Sequence, residues 1–293
     1  MHFLTIDDLT TDELAGVVDD AAALKRAQAD GMPHEALPGR SLAMLFEKPS
    51  TRTRVSFEVG MTQLGGHGVF LGDDDIQLGR GEPVADTARA LGRYVDAVMA
   101  RVFDHGDLEE IAAHADVPVV NGLTDDAHPC QALADLLTLR EEVGDSGTVA
   151  WVGDGNNVAA SFTIGAAMMG YDVNVATPEG YALDDSVIAR AEEHGDVTAT
   201  TDPEAAVADA EVVYTDVWVS MGQEDEREQR LDAFEGFQVD DELLGDAAFM
   251  HCLPANRGEE VTADVIDGEQ SVVWQQAENR LHAQKALLVE LVD

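Results

Sequence analysis

Short runs of β-branched and apolar residues alternate with helix-patterned segments from one end of this chain to the other, and no other feature narrows its fold so far. Residues 41–46, 69–71, 97–102, 117–120, 148–153, 173–177, 197–200, 211–215, 247–251 and 271–274 read as strands. Between them, 83–94, 159–169 and 184–194 carry helical periodicity. Strands joined through helices pair in parallel, because a parallel pair needs a long crossover and a helix supplies it. The expected class is α/β, with two doubly wound parallel-sheet domains joined by helices. Ten strands in 293 residues suit two sheets better than one. A turn at 144–147 marks the expected divide between residues 1–143 and 144–275. A C-terminal helix over 276–293 is expected to pack back on the first domain.

The balance of charge excludes several functions. Asp and Glu number 58 against 17 Lys and Arg, a formal net charge of −41, and only Lys25, Lys48 and Lys285 are lysines. A chain so anionic repels itself in dilute solution. Ordinary salt screens charges beyond about 8 Å and molar salt beyond roughly 3 Å, so the compact state is expected to need concentrated salt. Nucleic acid is excluded as a partner, because phosphate contacts need a basic face. No apolar run is long enough to span a bilayer and the N-terminal stretch is acidic, so neither a membrane anchor nor a secretory signal is expected. Cys130 and Cys252 alone make no disulfide framework, which fits a reducing cytoplasm. The acidic segments 73–75 and 224–228 read as solvated loops.

In this cation-poor chain, three basic residues fall between Lys48 and Arg54. The run Glu47-Lys48-Pro49-Ser50-Thr51-Arg52-Thr53-Arg54 follows a strand and opens a helix toward Gln63. Ser50 suits the N-cap, so that Thr51 to Thr53 present backbone N–H groups at the positive end of the helix dipole. Hydroxyls of Ser50, Thr51 and Thr53 and guanidiniums of Arg52 and Arg54 add donors to the same spot. Such a cluster suits phosphate. Ligands of open α/β sheets bind beyond the carboxyl ends of strands, which is where this run lies.

Ser50 to Arg54 is similar to the carbamoyl phosphate motif of the aspartate and ornithine carbamoyltransferases. In family order follow His128-Pro129-Cys130-Gln131, Gly153-Asp154-Gly155-Asn156-Asn157, Asp216-Val217-Trp218-Val219-Ser220-Met221-Gly222, His251-Cys252-Leu253-Pro254 and Glu278-Asn279-Arg280. The resemblance covers essentially the whole chain. It implies transfer of a carbamoyl group from carbamoyl phosphate to the side-chain amine of ornithine, with neither metal nor cofactor, in a homotrimer or higher homo-oligomer. It also implies the ligand set. Carbamoyl phosphate would meet Ser50, Thr51, Arg52, Thr53, Arg54, Arg101, His128, Gln131, Cys252, Leu253 and Arg280. Gln77 would join them from a loop that in the family can enter a neighbouring subunit's site. Ornithine would meet Asn157, Asp216, Ser220 and Met221.

The same residues carry readings of their own. Pro129 disfavours helix at His128 and suits the first turn of the next helix, so the imidazole and the Gln131 amide can both face the strand ends. Gly153-Asp154-Gly155 could pass for a dinucleotide loop, but that pattern wants a glycine where Val158 stands, and no acid closes the next strand. No nicotinamide cofactor is expected. His251-Cys252 and the His-x-Cys pair at 128 and 130 could suggest zinc, yet adjacent ligands converge poorly on one ion. No metal is expected.

A cationic amine needs a desolvated carboxylate, and Asp216 stands at a strand end before a polar stretch, 223–230, fit for a lid. The expected catalytic residues are Cys252, Arg101, His128 and Asp216. Asp216 and Cys252 would deprotonate or orient the amine; Arg101 and His128, with the Thr53 hydroxyl, would stabilise the oxyanion. Aspartate is disfavoured as acceptor because 216–222 offers no basic residue. Putrescine, an acylated ornithine and a non-catalytic phosphate-binding relative stand as alternatives. Asn256 matches no pattern.

Overall fold

A computed structural model describes residues 1–72 and 81–292, so Gln77 and the acidic segment 73–75 lie outside the described residues. The chain divides into two compact units: residues 1–134 with the C-terminal segment from Asn279, and Asp135–Glu278. Both divisions fall within helices, and the turn at 144–147 comes just after the first of them.

In the first unit, α1 (Thr11–Ala29) is followed by β1 (Ser41–Phe46), α2 (Thr51–Gln63), β2 (His67–Gly72) and α3 (Val84–Leu91). Then come β3 (Ala97–Arg101), α4 (His105–His114), β4 (Val119–Leu123) and the start of α5 (Pro129–Val143). The strands form a parallel sheet in the order β2-β1-β3-β4. β1 and β3 are buried almost throughout, as apolar runs in a sheet covered on both faces must be. The chain winds outward from β1 to β2, then returns to the other side of β1. The loop after β1 and the end of β3 therefore lie at the reversal of strand order, where such sheets bind ligands. β4 starts at Val119, not 117, because Pro118 has no N–H to give the ladder.

The second unit runs β5 (Thr148–Val152), α6 (Asn157–Met168), β6 (Asp172–Ala176), α7 (Asp185–Glu192), β7 (Val197–Thr200) and α8 (Pro203–Val207). It continues with β8 (Val212–Thr215), α9 (Arg227–Ala233), α10 (Asp241–Leu244), β9 (Ala248–His251), α11 (Ala263–Ile266) and the start of α12 (Val273–Val292). Its sheet is also parallel, in the order β7-β6-β5-β8-β9. Tyr214 packs nearly edge-on against Trp151 and Phe162, with ring centroids 4.8 and 4.9 Å away. Each such pair contributes about 0.5–1.5 kcal/mol beyond its buried area. Here the order reverses between β5 and β8, so the residues after those strands occupy the second ligand position.

Two expectations fail. Residues 271–274 are not a strand: Ser271 makes one bridge to Phe249, and Val273 already opens α12. Two adjacent valines suit a strand locally, but only that one residue continues the edge beyond β9. The described residues thus hold nine strands, not ten. Nor is 224–228 a loop, although 225–228 are exposed to solvent as expected. Glu224–Glu226 form a turn of 3-10 helix and Arg227 opens α9, which is anchored by the buried Arg230.

Among the described residues no helix is long and apolar enough to cross a membrane. α12 instead buries polar groups. Lys285 is fully buried and donates to Gln63 Oε1 (2.8 Å), Gln28 Oε1 (3.0 Å) and His34 Nε2 (3.2 Å). Burial pushes its pKa down from 10.5 to about 8. Between those values the unfolded chain holds the proton and the folded chain does not, so stability rises with pH across that window. Lys285→Met removes the group, so wild type should gain stability relative to the variant from about pH 8 to 10, read as urea midpoints at one molar KCl concentration. Parallel pH curves for the two proteins would refute this.

Candidate active site

α2 begins as its sequence requires. Ser50 is extended (φ −157°, ψ 113°) and its Oγ accepts the Thr53 N–H at 3.3 Å. That satisfies one of the first N–H groups of the helix, which no helix carbonyl can reach. The Ser50 hydroxyl in turn donates to Thr53 Oγ1 (3.1 Å), which also accepts Nη2 of Arg280 at 2.9 Å. Thr53 and Arg280 are both buried, so the arginine of α12 is fixed to the first turn of α2. The N–H groups of Glu47 and Lys48 donate to the Arg101 carbonyl at 2.9 and 3.5 Å, which draws the loop after β1 against the end of β3.

Arg101 is aimed by an irregularity. Ala100 stands opposite Asn121, but Arg101 stands opposite Leu123, so Gly122 is an extra residue. A Cβ at Gly122 would overlap Met99 Sδ and come within 3.1 Å of the Ala100 carbonyl, so any larger residue requires the Met99 side chain to shift. Bulges redirect side chains beside binding sites, and the side chain redirected here is a buried arginine.

His128 is buried just ahead of α5, its carbonyl accepting the Gln131 N–H at 3.0 Å. Its pKa is driven well below the usual imidazole range, first by burial and then by the charges of Arg280, Arg101 and Arg52. Three guanidiniums thus act on one neutral ring, with the buried Gln131 one turn on. A dianion placed among them would relieve their mutual repulsion.

Arg54 does not join them. Its Nε donates to Glu58 Oε2 at 3.4 Å, and its guanidinium lies 3.8 Å from the centre of the Phe70 ring. Two residues along a helix are about 200° apart, so Arg52 and Arg54 face different ways. Adjacency in sequence therefore does not give Arg52 and Arg54 a shared face.

In the second unit, Asn156 caps α6. Its Oδ1 accepts the N–H groups of Val158 and Ala159 (2.9 and 3.0 Å), and its Nδ2 donates to Asp216 Oδ2 at 3.0 Å. The other carboxylate oxygen accepts the Cys252 S–H at 3.0 Å. β5, β8 and β9 thus present Asn156, Asp216 and Cys252 from neighbouring strand ends, with Asp216 only 6 % exposed. Asn157 opens α6 half-buried; Ser220 is half-buried and Met221 exposed in the loop beyond Asp216. All three follow the ends of β5 and β8, the strands that lead to Asn156 and Asp216.

A buried ion pair holds the root of that loop. Arg230 Nη1 donates to Asp154 Oδ2 and to the Trp218 carbonyl, both at 3.0 Å, and the guanidinium lies 4.9 Å from the Tyr181 ring centre. Burial pushes the Asp154 pKa up to about 6, against the pull of Arg230. Gly155 has its own reason. A Cβ there would lie 2.5–2.7 Å from backbone atoms of Leu183, Ala182 and Tyr181, so the glycine serves close backbone packing.

The turn after β9 is held at several points. His251 Nδ1 accepts the Leu253 N–H at 2.9 Å, so Nε2 carries the proton and donates to Glu260 Oε1 at 3.2 Å. Gln276 Oε1 accepts the His251 N–H (2.9 Å), and Gln276 Nε2 donates to Asp135 (2.7 Å), which also accepts the Tyr214 hydroxyl (3.1 Å). Leu253 sits at φ 60°, a left-handed conformation that costs about 1–3 kcal/mol away from glycine and persists only when its surroundings enforce it.

Asp216, His251 and Cys252 offer ligand atoms within 4.8 Å of one another, a spacing a cation could use. The hydrogen bonds leave the imidazole no lone pair to give, since Nδ1 accepts from Leu253 and Nε2 is protonated. Cys130 donates to the Asn121 carbonyl at 3.2 Å, and burial pushes its thiol up to about 12; it is a core residue. Sequence reasoning passes over Arg230, Asn156 and Gln276. One signal for Arg230 was available, a basic residue kept amid the acids of 223–230.

Comparison with known proteins gives a consistent result. Residues 1–141 match the family model "Aspartate/ornithine carbamoyltransferase, carbamoyl-P binding domain". Residues 145–291 match "Aspartate/ornithine carbamoyltransferase, Asp/Orn binding domain". An ornithine carbamoyltransferase of Haloquadratum walsbyi is 64% identical over 296 residues, covering 99% of this chain and 97% of the relative. A Pyrococcus furiosus relative named as an anabolic ornithine carbamoyltransferase is 56% identical, covering 97% of this chain and 94% of its own. The solved structure of the ornithine carbamoyltransferase from Pyrococcus furiosus superposes with a TM-score of 0.96 at 55% identity, over 99% of this chain and 96% of that one.

The electrostatics predict that His128 of the free protein stays neutral throughout the weakly acidic range. Its imidazole signals, followed by NMR in histidine-labelled protein, should not titrate between about pH 5.5 and 8, whereas an unperturbed histidine titrates near 6.5. A midpoint near 6.5 would mean that the three arginines do not surround it.

Proposed function

Because this chain belongs to the aspartate/ornithine carbamoyltransferase family of enzymes, we propose that it transfers the carbamoyl group of carbamoyl phosphate to the side-chain amine of L-ornithine, giving L-citrulline and phosphate. The observation that carries this reading is the gathering of Arg52, Arg101 and Arg280 about a neutral His128, beside the N-terminus of α2. It supports binding of the phosphoryl group by Ser50, Thr51, Arg52, Thr53 and Arg280, with Arg101, His128 and Gln131 serving the carbamoyl group. Residues 1–143 are then the carbamoyl phosphate domain and 144–275 the ornithine domain. Asp216 supplies the counter-charge for the ornithine amine, and Asn157, Ser220 and Met221 serve its α-amino acid end. That no basic residue lies in 216–222 favours a cationic acceptor over aspartate.

The nucleophile is the neutral amine, so a proton must leave it before attack. Asp216 is the base at hand, its carboxylate oriented by Asn156 and Cys252. Attack makes the carbamoyl carbon tetrahedral. Arg101, the neutral His128 ring and the Thr53 hydroxyl donate to the new oxyanion; the attacking nitrogen passes its surplus proton to the departing phosphate oxygen as the carbon–oxygen bond breaks, the carbonyl re-forms, and phosphate leaves its guanidiniums. Bringing the reactants together contributes about 7–11 kcal/mol, and one oxyanion donor about 3–4 kcal/mol. These steps call on neither a metal nor a cofactor.

The protein is further proposed to act in a salt-rich cytoplasm as a homotrimer. A charge of −41 supports the first part, as do two thiols that are not joined in a disulfide. An exposed apolar face supports association: Val55 and Val59 lie one turn apart on α2, and Val69 lies on the edge strand β2 (52 %, 40 % and 37 % exposed).

Purified protein in molar KCl should form citrulline from carbamoyl phosphate and ornithine and should not carbamoylate putrescine or acylated ornithine. Arg52→Ala should lower kcat/KM for carbamoyl phosphate by about 10²–10³-fold; Arg54→Ala, outside the cluster, should cost far less. Absence of citrulline, or equal effects of the two substitutions, contradicts the assignment. In a KCl series from millimolar to molar, the melting temperature should climb and light scattering should give about three times the chain mass of 31.3 kDa. A flat or falling melting temperature refutes the salt requirement, and a monomer mass refutes the trimer.

A further inference from the structure

Whatever fixes α12 in the first unit also fixes Arg280, and two of the three lysines do so. Lys25 of α1 donates to Asn279 Oδ1 at 2.7 Å, one residue before the arginine. Lys285, five residues after it, donates to Gln28 at the end of α1 and to Gln63, the last residue of α2. Arg280 itself reaches Thr53 at the beginning of α2. α12 is therefore fastened to both ends of α2. Between those points a Cβ on Gly60 would lie 3.3 Å from Lys285 Cγ and 3.6 Å from Leu281 Cδ1, so the two helices are in close contact.

The donors of Lys285 are fully used. An ammonium has three protons, and three acceptors meet it. His34 Nδ1 faces the Met32 carbonyl at 3.0 Å and must donate there, which turns the Nε2 lone pair to the lysine. None of the three acceptors is a carboxylate, in a chain with 58 acids. A buried cation with only neutral partners is poorly compensated for desolvation, so stability alone does not explain it. What the arrangement supplies is direction, tying one point of α12 to α1, α2 and the 32–34 turn together.

We infer that Lys285 is a positioning residue for the anion site: by tying α12 to the far end of α2 and to α1, it sets where Arg280 stands against Thr53, and so the affinity for a phosphoryl group. This rests on the proposed function. Lys285→Met keeps the length of the stem and removes every donor. In molar KCl it should raise KM for carbamoyl phosphate about tenfold, as expected for an arginine ligand displaced rather than removed. KM for ornithine and kcat should stay within about twofold. Titration with inorganic phosphate should show the same tenfold weakening without turnover. Gln63→Leu, which removes one acceptor and leaves the lysine, should weaken phosphate binding in the same direction and serves if Lys285→Met does not fold. Unchanged phosphate affinity in the variants, or equal losses for both substrates, overturns the inference even if wild type makes citrulline. If wild type makes none yet the variants bind phosphate tenfold more weakly, the function falls and the positioning role stands.

Discussion

Like charges repel, and the first unit holds three guanidiniums around one imidazole. At a protein-like effective dielectric, two unit charges about 5 Å apart oppose each other by roughly 3 kcal/mol. Such a group does not assemble of its own accord; the fold imposes it. The bulge at Gly122 turns Arg101, the Thr53 hydroxyl receives Arg280, and the cap at Ser50 starts the helix that carries Arg52. His128 accommodates the rest by staying uncharged. An anion in their midst would add an attraction to each guanidinium and offset the repulsion among them, so the cluster suits an anionic ligand.

Charge elsewhere is partitioned by the same logic. The lysines all point inward. Lys48 is paired with Asp125 and lies 4.2 Å over the Phe103 ring, Lys25 meets Asn279, and Lys285 is fully buried. The surface is left to acids and to arginine pairs such as Arg40–Asp96, Arg93–Asp116 and Arg257–Asp267. Exposed pairs of that kind contribute about 0–1 kcal/mol each and cannot offset a charge of −41. The remaining counter-charge must come from solvent.

Much of the architecture was legible because it follows short-range rules. Alternating periodicity located the sheets, and Ser50 followed by threonine and arginine located the start of α2 with its cap. Errors arose where a second periodicity or a distant partner decided the outcome. Helical geometry separates Arg54 from Arg52, which the run of residues alone does not show. Val272 and Val273 looked like strand residues, but the sheet edge ended first. The acidic stretch before Arg230 looked like loop because its anchor, Asp154, lies 76 residues away, and Gln276 meets Asp135 across 141. No local pattern encodes such pairings.

The bulge between β3 and β4 has a consequence for how this protein can vary. A buried arginine is usually guarded by neighbours that selection can exchange one for another. Here part of its guard is a missing side chain on the adjacent strand, at Gly122, where even a Cβ would press on the Met99 sulfur and the Ala100 carbonyl. Any substitution at that position requires Met99 to give way, so the freedom of Gly122 is tied to that of a buried methionine on the next strand.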